Sequence, residues 1–558
     1  MKYAIISVWD KTGVCEFARL LINKGYRILS TGGTYTAIKS SLTLEQQKNL
    51  TKVSNYTGFP EILGGRVKTL HPKIHAGILA REDQLDELEG MGLAKISVVV
   101  ANLYPFAEAM QSGIEALALE NIDIGGHTLI RAAAKNYPNT LVLTDPADYS
   151  HIDNLTVNER RIFAQKAFAH AAEYDISIAR YFGDQTVRKY YPIHELKYGC
   201  NPHQDHAALC GINTNDVPLQ VLNGSLGYIN VIDALLGYQL VCEASLRLGV
   251  PAAASYKHTS PAGVGLGREL CYAETQVFDV LGRSLTPVAT AFIRARNCDP
   301  LSSFGDFISI SDPVDCCTAE LVKREVSDGI IAPSYDDDAL EILKEKKAGK
   351  YTILQLPRDW KRPNDIEYRE IGGLALSQAP NCAQTLDTDL SNIPTINQYI
   401  PEHSKDDLIL ANITLKYTQS NSVAYALNSQ VIGIGAGQQN RVDCVKLAGE
   451  KARRWCARFT AVAQQERLQI KCRIQKRTEQ TNAMYAFLDS RSWAPTSSEL
   501  SLASDAFFPF PDSIEVATRY GVKYILQPGG SLGDDACVAA CNEHGITMAI
   551  SGKRMFLH

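Results

Sequence analysis

Strand and helix signals alternate at the start of the chain, and this alternation constrains the fold more than any other feature of the sequence. Residues 3–8 form a short apolar run, and apolar residues at helical spacing follow it from Val14 to Leu21, before Gly25. A second apolar run at residues 26–30 leads into a Gly-rich turn and another helical stretch. Because helices that alternate with strands cover the faces of a parallel sheet, the sequence predicts a wound α/β domain here.

Three further segments set the extent of this domain. Residues 96–100 are almost entirely apolar, as expected for a strand covered on both faces of a sheet. Apolar residues at helical spacing between residues 158 and 182 predict one long closing helix. Residues 183–195 have mixed charge and no clear period, which is typical of a linker. We therefore place a boundary near residue 190 and expect domains at residues 1–190 and 191–558.

The second domain is longer than one ordinary core requires, so we expect an α/β or α+β part with two subdomains. Four strand-like apolar runs are interleaved there with helical segments; the runs are residues 408–415, 431–434, 522–526 and 546–550. Residues 473–503 are polar and rich in Ser and Thr, which predicts a surface excursion. No repeat of 20 to 50 residues is apparent, which argues against a solenoid.

The composition is that of a globular chain and excludes several classes of partner. Apolar residues make up 45% and charged residues 21% of the 558 residues. The net charge of −5 leaves no overall basic field for a nucleic-acid backbone or an anionic membrane. No uncharged apolar stretch approaches the ~18 residues that span a bilayer, and Asp10 comes before a signal peptide could develop. We expect neither a nucleic-acid nor a membrane partner.

The cysteines and histidines predict a reducing compartment and no metal site. The 14 cysteines are scattered without a Cys-x-x-Cys pair, so we expect free thiols in a cytosolic protein. His71 and His75 have the spacing of a metal-binding pair, but no third ligand is convincing and Pro72 interrupts the helix.

Polar clusters follow the predicted strand ends in the first 140 residues. Residues 30–34 place hydroxyl groups and glycines before a helix, where free N–H groups and the helix dipole favour a phosphate; the alternative is an ordinary tight turn. Residues 66–72 carry two cations and a hydroxyl group after two glycines; the alternative is a solvated basic loop. Residues 102–105 follow the buried strand, where open α/β sheets hold their ligands. The helix after Asp123 would place Arg131 and Lys135 one turn apart on one face. These side chains could handle protons; the alternative is a helix with a charged exposed face.

The second domain contains a Lys257-His258 pair and two glycine strings. Consecutive strand residues point to opposite faces, so the pair serves one site only if the backbone turns there, which residues 260–263 permit. Histidine can take a proton from an amine nucleophile, and lysine can stabilise an oxyanion. The glycine string at residues 433–437 is similar to a dinucleotide-binding fingerprint, but Gln438 stands where that fingerprint requires glycine.

Thirteen short motifs occur in a fixed order along nearly the whole chain: SVWDKTG, STGGT, TGFPEILGGRVKTLHPKIHAGILAR, NLYPF, DIGG, RAAAKN, YGCNPHQ, SYKHTSPAG, SSFGDF, REVSDGIIAP, KYTQSNS, GIGAGQQNR and SDAFFPF. In this order they resemble the motifs of the bifunctional purine-biosynthesis family. That family joins an inosine monophosphate (IMP) cyclohydrolase to an aminoimidazole carboxamide ribonucleotide (AICAR) formyltransferase.

The resemblance implies a fold and a pair of reactions. The first domain would be a methylglyoxal-synthase-like wound α/β domain, and the second would contain two cytidine-deaminase-like α/β units without zinc. The second would transfer a formyl group from the co-substrate 10-formyltetrahydrofolate to AICAR. The first would then close formyl-AICAR to IMP with loss of water. A homodimer is also implied, because the family's formyltransferase sites lie at a subunit interface.

The resemblance also implies the site residues. Ring closure would use Lys68, Tyr104, Asp123 and Lys135 for proton handling, with the nucleotide contacted by Ser7, Lys11, Thr31, Gly33, Arg66, Thr69 and Asn102. In formyl transfer His258 would be the base and Lys257 the oxyanion partner, with Asn421 nearby. The matched nucleotide-holding positions are Lys197, Tyr198, Gly305, Asp328, Arg441 and Phe507. Three residues depart from the family's pattern: Trp9 replaces a small residue, Tyr137 stands where histidine often follows Lys-Asn, and Lys197 replaces the usual arginine. At position 197 a guanidinium group that could bind an anion through two hydrogen bonds is thus replaced by a single ammonium charge.

Two other functions remain open from the residues alone. The glycine strings at residues 263–267 and 433–437 would suit a nicotinamide-dependent dehydrogenase. A non-enzymatic nucleotide sensor or scaffold could keep the fold without the chemistry, although the intact Lys257-His258 pair argues against it.

Overall fold

Two units with separate sheets make up the chain. A computed structural model describes residues 2–152, 155–183, 187–214, 216–360, 366–494 and 499–558. Contacts within the chain divide it into Met1–Arg188 and Lys189–His558.

The first unit is a wound α/β domain, as the alternation of strand and helix signals predicts. Its five strands are all parallel and lie in the order β3-β2-β1-β4-β5. The strands are β1 Lys2–Ser7, β2 Tyr26–Ser30, β3 Leu50–Lys52, β4 Ile96–Ala101 and β5 Leu141–Leu143. The helices are α1 Val14–Asn23, α2 Gly32–Ser41, α3 Leu44–Gln47, α4 Val53–Thr57, α5 Pro72–Leu79, α6 Leu85–Gly90, α7 Phe106–Gln111, α8 Glu115–Glu120, α9 Ile124–Lys135 and α10 Val157–Phe182.

The strand order of this sheet determines where a ligand can bind. The chain starts at β1, builds outward to β3, and then crosses back to place β4 on the other side of β1. The carboxyl ends of β1 and β4 therefore meet at the point where the order reverses, which is where open α/β sheets hold ligands. The middle of β1 and nearly all of β4 are buried, so the core fixes the position of both strands.

The second unit is built on a mixed sheet of 11 strands, in the order β20-β19-β18-β16-β17-β10-β9-β11-β12-β13-β8. Two separate hairpins, β6–β7 and β14–β15, complete the strands. The bounds are β6 Tyr190–Glu195, β7 Ala208–Ile212, β8 Gln220–Asn223, β9 Ala252–Lys257, β10 Ser260–Leu266, β11 Asp306–Ile310, β12 Ser327–Ala332, β13 Thr352–Gln355, β14 Glu367–Ile371, β15 Leu374–Gln378, β16 Val423–Leu427, β17 Gln430–Gly435, β18 Leu500–Ser504, β19 Val522–Gln527 and β20 Thr547–Ile550.

Helices cover both faces of this sheet, with α11 and α16 in one core and α13, α14, α17, α20 and α21 in the other. The bounds are α11 Tyr228–Leu248, α12 Tyr272–Val277, α13 Pro287–Arg296, α14 Cys316–Lys323, α15 Asp337–Lys344, α16 Glu402–Lys416, α17 Arg441–Ala457, α18 Ala461–Arg473, α19 Arg477–Asp489, α20 Asp512–Thr518 and α21 Asp534–Glu543. Among the described residues α11 alone has the length and hydropathy of a membrane span, and it packs on β9 and β11 as a core helix.

One predicted strand is wrong, because residues 408–415 belong to helix α16. Every residue from Asp407 to Leu415 is buried, including the polar Asn412 and Thr414, so the segment is buried on all sides and shows no amphipathic period. A helix buried all round cannot be distinguished from a buried strand by periodicity.

The predicted surface excursion at residues 473–503 is largely a helical hairpin with a small core of its own. Helices α18 and α19 pack against each other around Ile470, Met484 and Leu488. Residues 495–498 of the predicted excursion lie outside the described residues.

The large sheet is internally duplicated. Strands β9–β13 lie in the order β10-β9-β11-β12-β13, and strands β16–β20 lie in the matching order β17-β16-β18-β19-β20. The two halves meet where β10 pairs with β17 in antiparallel register. The larger part is therefore made of two similar α/β halves that share one sheet.

The glycine strings are explained by close packing in both halves. A side chain at Gly263 or Gly265 would overlap α13 and the residues directly after it, and one at Gly433 or Gly435 would overlap the backbone of α17. The absence of Cβ atoms lets each helix lie directly on its hairpin. The strings therefore have a structural role that requires no dinucleotide.

Gly433→Ala is expected to lower the free energy of unfolding by about 3 kcal/mol, because the added methyl group meets the carbonyl of Ala448. The measurement is calorimetric unfolding of the full chain. Gly227→Ala is the matched control, since the nearest atom to its Cβ is the flexible amide of Asn230 at 3.4 Å. Equal loss from both variants would contradict the close-packing explanation.

Candidate active sites

A cavity of about 580 Å³ opens at the carboxyl ends of β1, β2 and β4 in the first unit. Ten of the predicted residues line it: Ser7, Lys11, Thr31, Gly33, Arg66, Lys68, Thr69, Asn102, Tyr104 and Asp123. Several loops and the carboxyl ends of three strands therefore deliver their polar side chains to one place.

The loop after β1 is held in position by Asn102, at the end of β4. The amide oxygen of Asn102 accepts hydrogen bonds from Trp9 N at 2.6 Å and Asp10 N at 3.0 Å. Its amide nitrogen donates to the carbonyl of Asp10 at 3.1 Å. The indole of Trp9 meets the ring of Tyr104 edge-on, with 5.3 Å between centroids, so both rings form part of the cavity wall.

Helix α2 points its amino end at the cavity. Thr31 is its N-cap residue but makes no capping hydrogen bond, and its hydroxyl group is 2.9 Å from that of Ser7. The first turn of a helix leaves N–H groups without helical partners, and the helix dipole is positive there. Together with Lys11 beside Gly33, this end of the cavity suits an anion.

Asp123 lies opposite, at the start of α9. Its Oδ1 accepts from Gly126 N at 2.7 Å, and its own N–H donates to Tyr174 Oη at 2.7 Å. Burial raises the pKa of Asp123 above its usual value, while the Gly126 N–H and the Lys68 charge act against that rise. The charge of Lys68 therefore acts on the Asp123 carboxyl group within the cavity.

Two further features of the cavity point toward a polar ligand. Thr69 is 1% exposed, and its hydroxyl group has no hydrogen-bond partner among the described residues. Arg66 forms an ion pair with Glu120, which also lines the cavity and was not predicted as a site residue. Glu120 is the last residue of helix α8, whose composition is ordinary, and nothing in the sequence marks it.

Lys135 is placed elsewhere. It is the last residue of α9, whose first turn carries the cavity residues, so it lies about 16 Å further along the helix axis. It is exposed and is not among the residues that line the cavity. Its assigned role stays a prediction.

In the second unit, the Lys257-His258 pair lies at a hairpin turn between β9 and β10. His258 and Thr259 have φ values of 53° and 61°, in the left-handed region of a tight two-residue turn. The backbone thus turns directly after Lys257. The Lys257 Nζ donates to the carbonyl of Phe304 at 2.5 Å, next to Gly305.

Asp233 holds this hairpin and was not predicted. It projects from α11, is 4% exposed, and accepts a hydrogen bond from Thr259 N at 2.8 Å. Burial raises its pKa, while the N–H groups of Thr259 and His258 and the charge of His258 act against the rise. Asp328, which pairs with Lys347 Nζ at 2.6 Å, acts on the same carboxyl group. Asp233 is one of two carboxylates, with Glu243, in a largely apolar helix, and this was the available signal.

Asn421 and Arg441 belong to a second group. Arg441 donates to Ser422 O at 2.9 Å, to Asn421 Oδ1 at 3.0 Å and to Asp505. Asp505 is fully buried and also accepts from the hydroxyl groups of Ser420 and Ser422, at 2.6 and 2.9 Å. This group is tied to the His258 hairpin by a hydrogen bond from Gln419 N to Ser260 Oγ, at 3.3 Å.

The remaining predicted residues are surface positions. Tyr198 and Phe507 are 37% and 38% exposed, and Lys197 places its ammonium 5.9 Å from the ring centroid of Tyr198. In the part of the chain that the structure describes, no hydrogen bond or ion pair connects these three residues to Lys257 or His258. The described residues also contain no cluster of three His, Cys, Asp or Glu side chains that could hold a metal ion.

Two family profiles match the chain. The profile of the MGS-like domain matches residues 13–128, and that of the AICARFT/IMPCHase bienzyme family matches residues 133–451. A chain in a structure titled "Crystal structure of ForH" is 32% identical, with a TM-score of 0.29, covering 33% of this chain and 99% of that one.

Curated relatives match over their whole length. The bifunctional purine biosynthesis protein PurH of Oceanobacillus iheyensis is 35% identical, and that of Ruminiclostridium cellulolyticum is 34% identical. In both cases the match covers 100% of this chain and 100% of the relative. The chain therefore belongs to the AICARFT/IMPCHase bienzyme family and is a bifunctional enzyme of purine biosynthesis.

Proposed function

We propose that the first unit closes formyl-AICAR to IMP and that the second unit transfers the formyl group from 10-formyltetrahydrofolate to AICAR. The observation that carries the first assignment is the convergence of ten motif residues on one cavity of about 580 Å³. For the second assignment it is the hairpin that presents His258 and Lys257 beside Gly305.

In ring closure, the carboxamide nitrogen attacks the formyl carbon, and water leaves. One group must accept a proton from the nitrogen, and another must supply a proton to the departing oxygen. Asp123, Lys68 and Tyr104 supply complementary acid and base groups on one wall of the cavity. The amino end of α2, with Lys11 and Arg66, would hold the nucleotide phosphate.

In formyl transfer, the amino group of AICAR attacks the formyl carbon of the donor. His258 would take the proton that this nitrogen loses, and Lys257 would stabilise the oxyanion that forms on the formyl oxygen. The intermediate then releases the folate nitrogen, which must be protonated. Asp233 is a positioning residue in this scheme, since it binds the backbone of the hairpin.

The partner that we propose is a second copy of the chain. Within one chain the predicted residues fall into separate groups around His258, around Asn421 and around Tyr198. Hairpin β14–β15 exposes Leu374 and Leu376 at 77% and 66%, although an isolated two-stranded hairpin is marginally stable in water. A homodimer would cover this hairpin and could complete the formyl-transfer site. Sedimentation of the full chain distinguishes the dimer from a monomer.

The remaining ligands follow from the two reactions. The organic co-substrate is 10-formyltetrahydrofolate, and the chemistry derived from these side chains needs no metal. All 14 cysteines are free thiols, in keeping with the reducing cytosol.

The test supplies AICAR and 10-formyltetrahydrofolate to the full chain and follows IMP. A fragment of residues 1–188 is expected to close supplied formyl-AICAR to IMP and to lack formyl transfer. Circular dichroism checks that the fragment is folded. A folded fragment without ring-closing activity would contradict the assignment of that reaction to the first unit.

A further inference from the structure

Trp9 lies in the wall of the first unit's cavity, and the proposed ring closure assigns it no role. The cavity measures about 580 Å³, within the range of roughly 300–1,000 Å³ that is usual for small-molecule pockets, so it suits a mononucleotide. Its described lining is rich in polar and charged side chains and contains two aromatic residues, Trp9 and Tyr104. The indole therefore offers the largest flat apolar surface in that lining.

The backbone of the Trp9 loop is fixed by hydrogen bonds that do not involve the indole. Asn102 Oδ1 accepts from Trp9 N at 2.6 Å. In the turn that follows, Asp10 Oδ1 accepts from Thr12 N at 2.9 Å and from Thr12 Oγ1 at 2.7 Å. The Lys11 Nζ donates to the carbonyl of Trp9 at 3.1 Å. Replacement of the indole by another side chain would leave all of these hydrogen bonds in place.

The indole is held against the cavity wall while much of its surface stays open. Trp9 is 51% exposed. Its ring lies 5.3 Å from the ring of Tyr104 at an interplanar angle of 78°, and the Lys11 ammonium lies 5.8 Å from the indole centroid. Edge-on aromatic contacts and cation–π contacts are both attractive, so they favour one position of the ring. A ring that is already positioned loses little conformational freedom when a ligand stacks on it.

Trp9 also lies beside the end of the cavity that suits an anion. Lys11, which contacts the indole, lies next to Gly33 in the first turn of α2. The free N–H groups of that turn and the ammonium group favour a phosphate there. In a nucleoside monophosphate a single ribose joins the phosphate to the base. A phosphate held by Lys11 therefore keeps its base close to the wall that Trp9 and Tyr104 form.

We propose that the indole of Trp9 stacks on the heterocyclic base of the nucleotide and makes the affinity of this cavity depend on that base. The proposal rests on the proposed ring-closing function of the first unit, and it adds a residue that binds the ligand without moving a proton. Every nucleobase has a π-face on which an aromatic side chain can stack. The small residue that Trp9 replaces has no comparable surface, so the substitution adds a contact that the family's pattern lacks.

The experiment measures how strongly IMP and ribose 5-phosphate each inhibit closure of formyl-AICAR by the full chain. Ribose 5-phosphate carries the sugar and the phosphate but no base. Trp9→Ser removes the ring, Trp9→Leu keeps an apolar side chain without an aromatic face, and Trp9→Phe is the conservative variant. The matched control is Phe168→Leu. The Phe168 ring is 40% exposed, lies 5.8 Å from the guanidinium carbon of Arg131 and is outside the described lining of the cavity.

We expect the inhibition constant of IMP to rise roughly tenfold in Trp9→Ser and Trp9→Leu, the usual scale for loss of a base-stacking side chain. The inhibition constant of ribose 5-phosphate should keep its wild-type value in both variants. Trp9→Phe should retain most of the preference for IMP, and Phe168→Leu should retain all of it. Equal weakening of both inhibitors would assign Trp9 a purely structural role and overturn the proposal. Wild-type inhibition by IMP in Trp9→Leu would overturn it as well.

Tryptophan fluorescence of the full chain gives a second readout that does not depend on catalysis. The other three tryptophans, Trp360, Trp455 and Trp493, belong to the second unit. We expect IMP to quench the wild-type emission and Trp9→Phe to lose this quenching. Quenching that persists unchanged in Trp9→Phe would contradict a contact between the base and the indole. If the wild type does not close formyl-AICAR, the proposed function fails, and this titration alone decides whether a purine nucleotide contacts Trp9.

Discussion

His258→Asn is expected to lower kcat for formyl transfer by about 10²–10⁴-fold, the usual range for loss of a general base. Closure of supplied formyl-AICAR should continue at the wild-type rate. The amine of AICAR loses its proton acceptor in this variant, since an amide does not titrate near neutrality. The measurement is the rate of each half-reaction with its own substrate.

Asparagine is chosen because the chain itself uses it at the equivalent turn. In the second half of the large sheet, Asn428 and Ser429 occupy the turn between β16 and β17 with φ values of 53° and 66°. Asp407 of α16 accepts from both N–H groups, at 3.0 and 2.7 Å, as Asp233 accepts from Thr259 in the first half. His258→Asn therefore keeps a turn that this fold already tolerates.

The control for this variant is His206→Asn. His206 also has a positive φ, of 53°, and its side chain is 94% exposed. It should transfer formyl groups like the wild type. Equal loss of both half-reactions in His258→Asn would contradict two separate sites, and retention of formyl transfer would exclude His258 as the base.

The parts of the fold that the sequence predicts well are those with one exposed and one buried face. The wound α/β domain is confirmed, because α1 and the long α10 each show apolar residues at helical spacing. The strand predicted at residues 408–415 is wrong, since burial of helix α16 on all sides there removes that spacing. Two subdomains were expected from the length of the second domain, and the resemblance implies two like α/β units; the sequence does not indicate that the two halves share one sheet.

The candidate sites show a similar limit. Ser7, Thr31 and Asn102 lie at strand ends that the sequence marks, and the other residues of the first cavity were named through the motif resemblance. Asp233, Glu120 and Asp505 could not be named, since their roles depend on partners between 26 and 85 positions away in the chain. Lys135 is the opposite case, because it belongs to a motif but does not line the cavity.

Asp123→Asn is expected to lower the rate of ring closure by about 10²–10³-fold and to leave formyl transfer unchanged. The asparagine oxygen can still accept from Gly126 N and cap α9, so the helix start should persist. What is lost is a carboxylate that couples to Lys68 in the cavity. The measurement is the closure rate of supplied formyl-AICAR as a function of pH.

The pH profile separates loss of a proton acceptor from loss of structure. Burial raises the pKa of Asp123, so the wild-type closure rate should fall on acidification at a higher pH than for an ordinary aspartate. The free energy of unfolding should depend on pH in the opposite sense. The contribution of the protonated Asp123 carboxyl group to stability is present at low pH and is lost as the pH rises through its raised pKa. Asp123→Asn should lack both dependences.

The control variant is Asp145→Asn. Asp145 is exposed and accepts a hydrogen bond from Ala147 N at 2.8 Å, and its replacement should leave both pH dependences as in the wild type. A wild-type acid limb that persists in Asp123→Asn would assign the titration to another group and remove Asp123 from the proposed mechanism.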